Sequence, residues 1–114
     1  MAIMSVTGKE YTPGAIDAIN TYYGRPDLTI AAPVADVWAT VPPDRYAEHL
    51  ATRFPHDLKS KKDVPQAVQL YRKILSKQPD NSVTIITVGY LRNVQNLLNS
   101  SPDKHSKLQG VELV

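Results

Sequence analysis

Ser82-Val83-Thr84-Ile85-Ile86-Thr87-Val88-Gly89-Tyr90-Leu91-Arg92-Asn93 is the stretch on which the fold class turns. From Val83 to Val88 every side chain is β-branched, with no charge and no proline. Such a run reads as a strand covered on both faces, as in a parallel sheet. Gly89 breaks it. Leu91, Val94, Leu97 and Leu98 then recur at helical spacing. A strand, a glycine turn and a helix in that order form one step of an α/β layer.

Working upstream, Pro79-Asp80-Asn81 is a turn. Before it, Val64, Ala67, Val68, Tyr71, Ile74 and Leu75 form an apolar helical stripe that Asp63 is placed to cap. Arg72, Lys73 and Lys77 lie toward its C-terminal end, where cations complement the helix dipole. Asp44 is placed to cap a shorter helix that carries Tyr46, Ala47, Leu50, Ala51 and Phe54 and stops at Pro55. Residues 31–43 are irregular, broken by Pro33, Pro42 and Pro43, with Trp38 a packing anchor. Near the start, Thr12-Pro13-Gly14 opens a helix with Ala15, Ile16, Ile19, Tyr22 and Tyr23 at helical spacing. Gly24 falls where a left-handed C-terminal residue belongs. Ile3 to Thr7 and Leu28 to Ile30 read as short strands on either side of that helix. Downstream of Leu98, Ser100 to Asp103 is a loop, and Val111 to Val114 carries no stop signal.

The order is strand, helix, strand, loop, helix, helix, strand, helix. It predicts an α/β fold over residues 1–114, one domain with a partial doubly wound, mostly parallel sheet and flanking helices. Two or three strands make a thin sheet for that architecture. The 114 residues suit one domain, and 42% hydrophobic with 21% charged residues is a globular composition. The chain has no cysteine, which excludes disulfides and thiolate metal sites. A formal net charge of +2 is too small to call for nucleic acid or an acidic membrane surface. No apolar run reaches the roughly 20 residues that span a bilayer. No signal-peptide pattern is visible, so the sequence as it stands reads as soluble and cytoplasmic.

Ligands of open parallel sheets bind beyond the carboxyl ends of the strands. Two such ends are legible, Thr7-Gly8-Lys9-Glu10 and Val88-Gly89-Tyr90, although each glycine also suits a plain turn. His56-Asp57 has the composition of a base with its orienting carboxylate, but neighbours in sequence rarely aim at one point, and a surface histidine is the plainer reading. Asp36, Asp44, Asp57, Asp63 and Asp80 are scattered as caps and turn residues rather than paired at metal-ligand spacing. No phosphate-cradling glycine motif is present. Lys59 to Lys62 reads as a solvated basic loop without interleaved aromatics.

The Ser82 to Asn93 stretch resembles the strand-turn-helix motif of the inosine–uridine-preferring nucleoside hydrolases. Asp17-Ala18-Ile19-Asn20-Thr21-Tyr22-Tyr23-Gly24-Arg25-Pro26-Asp27 resembles the helix after that family's second strand, particularly in a bacterial nucleoside hydrolase-like branch, and the Val64 to Pro79 helix is also similarly placed. The resemblance covers most of this chain but only an early-middle portion of the family's domain. It implies a nucleoside hydrolase-like fold and calcium-dependent hydrolysis of the N-glycosidic bond of a ribonucleoside substrate. In that chemistry calcium lowers the pKa of a bound water and orients the ribose hydroxyls, while a carboxylate acts as general base. It also implies that the Val88 carbonyl stands at a calcium-ligand position. Lys9 occupies the stretch where the family commonly has a ribose-contacting Asn. His56 corresponds loosely to a histidine before the long helix, and Asn93 braces the turn. Arg92 stands where the family usually has Thr. The family's D-x-D-x-x-x-D-D cluster and its late His-Asp pair are not among these residues, so the expected site is incomplete and the chain inactive alone. The alternative expectation is a non-catalytic binding module that buries open sheet edges against another chain, including a homo-oligomer.

Overall fold

The structure, a computed structural model, describes residues 1–34 and 45–114. The expected roles of Asp36, Trp38, Pro42, Pro43 and Asp44 lie outside the described residues. Contacts divide the chain into two compact units, residues 1–66 and 67–114.

In the first unit, β1 (Ala2–Met4) and β2 (Thr29–Ala31) pair in parallel, with Ala2 opposite Thr29, Ile3 opposite Ile30 and Met4 opposite Ala31. Ser5 prolongs the ladder by donating its amide to Ala31 O at 2.8 Å. Parallel neighbours need a crossover, and α1 (Thr12–Tyr22) supplies it. Leu28 and Ile30 are buried with Thr29 exposed between them, and Ala31 beyond is fully buried, so the end of β2 is covered on both faces. Ala32 forms a parallel bridge with Gln66 and donates its amide to Pro65 O at 3.1 Å. Successive strand residues offer their backbone groups to opposite sides, so this segment extends β2 on the side away from β1.

The covering face of α1 is made of small residues. Pro13, Gly14, Ala15 and Ala18 are buried, which lets the helix approach closely. A Cβ on Gly14 would stand 3.0 Å from His56 Cε1 and 3.1 Å from Ala51 Cβ, so the first turn of α1 packs tightly on the end of α2 (Arg45–Arg53) and the loop after it. At the other end α1 closes as expected. Gly24 takes φ +72°, its amide donates to Thr21 O, and the Arg25 amide donates to Asn20 O at 2.7 Å. That pair of bonds is the Schellman motif. The start of α1 differs from expectation by one residue. Tyr11 is the N-cap without a side-chain bond, and Thr12 Oγ1 instead lies 3.0 Å from Thr7 Oγ1.

In the second unit, α3 (Ala67–Leu75) packs against α4 (Arg92–Leu98), and α4 also packs against a 3-10 turn at Gly110–Glu112. The expected Asp63 cap is not used for α3. Asp63 Oδ2 instead accepts the amides of Lys59 and Ser60, and with the Ser60 hydroxyl it closes a capping box around a 3-10 turn at Lys61–Asp63. The helix then begins beyond Pro65. Pro79-Asp80-Asn81 turns as expected, with Asn81 at φ 61°, a conformation Asn tolerates.

The largest departure is Val83 to Val88. Among the described residues this run pairs with nothing and is not a strand. Val83 is 40%, Ile86 81% and Val88 98% exposed. Strand propensity expresses how well a side chain fits a pleated surface beside neighbours, and here no neighbouring strand exists among the described residues to form that surface. The chain is therefore α/β with helices and a two-stranded parallel sheet.

Candidate functional site

The loop from Ser5 to Tyr11 leaves the carboxyl end of β1 and is held by side chains rather than by a ladder. Ser5 Oγ donates to Thr7 O at 2.8 Å and receives the Thr7 amide at 3.2 Å, closing a small ring. Lys61 Nζ donates to Gly8 O at 3.0 Å, and Ser60 Oγ donates to Glu10 Oε1 at 2.8 Å. The basic loop, solvated by its sequence, thus braces the strand-end loop through two of its residues.

Lys9 and His56 flank the first turn of α1. Lys9 is half-buried, and its carbonyl accepts the Thr12 amide at 3.3 Å. His56 lies against Gly14, and its Nε2 is 2.6 Å from Ala51 O. A carbonyl only accepts, so Nε2 is the donor in this contact. Nδ1 is buried and has no partner among the described residues. The Asp57 carboxylate therefore does not orient the imidazole. The backbone of that segment is held from elsewhere. Asp17 Oδ2 accepts the amides of Asp57 at 3.0 Å and Leu58 at 3.3 Å. Asp17 is 4% exposed, a carboxylate on the buried face of α1. Its place beside Gly14 and Ala18 on the helix face that the small residues define is the signal in the sequence that marks it.

Val88 belongs to the second unit and lies in the uncovered run, with no described carboxylate set around it. Among the described residues no group of three or more His, Asp or Glu could hold a metal ion. Asn93 is buried in the first turn of α4.

A further polar centre was missed in the sequence. Arg72, expected toward the C-terminal end of α3 as a complement to the helix dipole, is the bulkiest fully buried side chain among the described residues. Nη1 donates to Ser100 Oγ at 2.8 Å, and Nη2 donates to Ser106 O at 3.0 Å and Leu108 O at 2.8 Å. Nε is 3.1 Å from Asp103 Oδ1 but is out of line for a hydrogen bond, so that contact is an ion pair by distance. Burial pushes the Asp103 carboxyl upward. The neighbouring Arg72 guanidinium and the His105 and Ser106 amides, which donate to Oδ1, outweigh it and hold the group below its ordinary 3.8. With Nη1 and Nη2 hydrogen-bonded and Nε beside the Asp103 carboxylate, this centre organises the 100–108 loop. Burial also raises the Tyr71 hydroxyl above its ordinary 10.0.

No protein-family model matches the chain, and neither a curated protein nor a solved structure does. Among the described residues, no helix is long and apolar enough to cross a membrane.

Proposed function

We propose that this chain is a partial nucleoside hydrolase-like α/β segment that performs no ribohydrolysis alone and works through what it docks against. The observation that carries this reading is the bare Val83–Val88 run, whose side chains suit a strand between two others yet stand in solvent. The parallel β1–α1–β2 step and the strand-end loop beside Lys9 agree with such a segment. His56 Nε2 is bonded to Ala51 O, and no described group of three or more His, Asp or Glu stands by for a metal at Val88, which supports an incomplete site. A ribonucleoside and calcium would enter only where further carboxylates complete the ligand set. Ribose release from inosine and uridine, measured with and without added calcium, tests the catalytic half. The expected result is no release above the buffer rate, and calcium-dependent turnover would defeat the reading. The same uncovered run favours a second reading, a non-catalytic oligomerising module. Sedimentation across a wide concentration range tests it, since a strict monomer would leave the run with no docking role between copies.

A further inference from the structure

The sequence of the uncovered run is the same in both directions: Val83-Thr84-Ile85, then Ile86-Thr87-Val88. We infer that this segment pairs antiparallel with the same segment of a second copy, in the register Val83 opposite Val88, Thr84 opposite Thr87 and Ile85 opposite Ile86. The inference rests on the docking reading above and names its partner. In that register every residue meets its own type. Cross-strand β-branched pairs and Thr–Thr pairs are among the stabilising contacts of antiparallel ladders. The run carries no charge or proline to oppose pairing, and its backbone forms no ladder with the described residues of the chain.

The register has a geometric consequence. Residues facing each other across an antiparallel pair point to the same face, whereas neighbours along a strand point to opposite faces. Ile85 and Ile86 are neighbours. Setting one against the other therefore turns the second copy over, and the two copies use different edges of their strands. Each added copy presents a fresh edge, which is the heterologous, open mode of assembly. A closed two-fold dimer must be centred on a residue instead. Centred on Ile85, it places Val83 against Thr87 and Thr84 against Ile86. Centred on Ile86, it places Thr84 against Val88 and Ile85 against Thr87. Both mix Thr with aliphatic partners and forfeit the matched pairs.

The chain has no cysteine, so introduced thiols report the register cleanly. The single variants V83C, V88C, I85C and I86C are purified, confirmed to keep the wild-type circular dichroism, and oxidised alone or in pairs. The expected result is rapid disulfide formation when V83C and V88C are mixed and when I85C and I86C are mixed, with little when any is oxidised alone. Wild-type sedimentation should show a mass that keeps rising with concentration above the 12.6 kDa monomer, and Ile86→Lys, at an exposed position, should lose that rise while keeping its fold. Self-linking of I85C or I86C with a mass that stops at a dimer would overturn the register and the open mode. Undiminished assembly of Ile86→Lys would overturn the segment's role and assign self-association to another surface of the chain. A wild-type chain monomeric at all concentrations would remove self-association altogether, whereas calcium-dependent ribose release would strike the non-catalytic reading and not the pairing.

Discussion

Arg72 and Asp103 approach to 3.1 Å across the second unit, joining a fully buried guanidinium on α3 to a carboxylate that remains 28% exposed in the loop after α4. Because Arg72 also donates to Ser106 O, Leu108 O and Ser100 Oγ, one side chain fixes three separate points of that loop. Replacing Arg72 with Met keeps much of the apolar stem but leaves those acceptors unpaired. The expected cost is about 1.5–3 kcal/mol, the range for hydrogen bonds to a charged group, read as a lower urea midpoint. An unchanged midpoint would mean that water replaces the guanidinium without penalty.

The same pair gives a signed pH dependence. Asp103 is held below its ordinary value in the folded state, so its contribution is complete above the unfolded value of about 3.9 and fades as pH falls through the folded one. Wild-type protein should therefore lose more stability than Asp103→Asn between pH 5 and the most acidic pH at which both remain folded. Partial exposure screens the effect and keeps it modest. Parallel urea titrations of the two proteins decide it, and equal slopes against pH would remove Asp103 as a contributor.

Local chemistry makes several elements legible. Gly24 needs a left-handed backbone and has it, Asn81 turns where Pro79 and Asp80 announce a turn, and Pro55 lies just beyond α2. What local chemistry does not reveal depends on partners distant in sequence. Val83 to Val88 has strand composition, but a strand exists only when something pairs with it. Asp63 has the placement of a helix cap, yet the nearer amides of Lys59 and Ser60 claim it first. Arg72 has the placement of a dipole-complementing cation near a helix end, and only the fold of residues 100–108 explains its burial. Strand-end reasoning and resemblance point to Lys9 and His56, yet neither points to Asp17, the buried carboxylate of that region. It holds a backbone segment 40 residues away.

Gly110 is required by a close approach. A Cβ there would collide with the Leu97 carbonyl and would lie 2.6 Å from Ser100 Oγ, the hydroxyl that also receives Arg72 Nη1. The collision is with backbone, so no rotamer change relieves it. Gly110→Ala should destabilise the protein by about 1–3 kcal/mol, the usual cost of overpacking. Thermal unfolding followed by circular dichroism measures it. A melting point equal to that of wild type would show that the 3-10 turn moves aside freely.

Asp17 is the residue through which α1 holds the chain just beyond α2. Its Oδ2 receives two amides, those of Asp57 and Leu58, and the carboxylate is buried on the helix face. Truncation to Ala removes the buried acceptor of both amides, at a cost of about 1–3 kcal/mol. Asn retains one carbonyl oxygen at the same place, so Asp17→Asn should fall between wild type and Asp17→Ala in urea midpoint. Stability alone does not separate a lost bond from general loosening of α1. Amide hydrogen exchange does, because the bond predicts a local signature. The Asp57 and Leu58 amides should lose protection in Asp17→Ala and keep part of it in Asp17→Asn, while the Arg25 amide, bonded to Asn20 O at the far end of the helix, should change little. Equal loss at all three amides would mean that Asp17 supports the helix as a whole and has no special hold on residues 57 and 58.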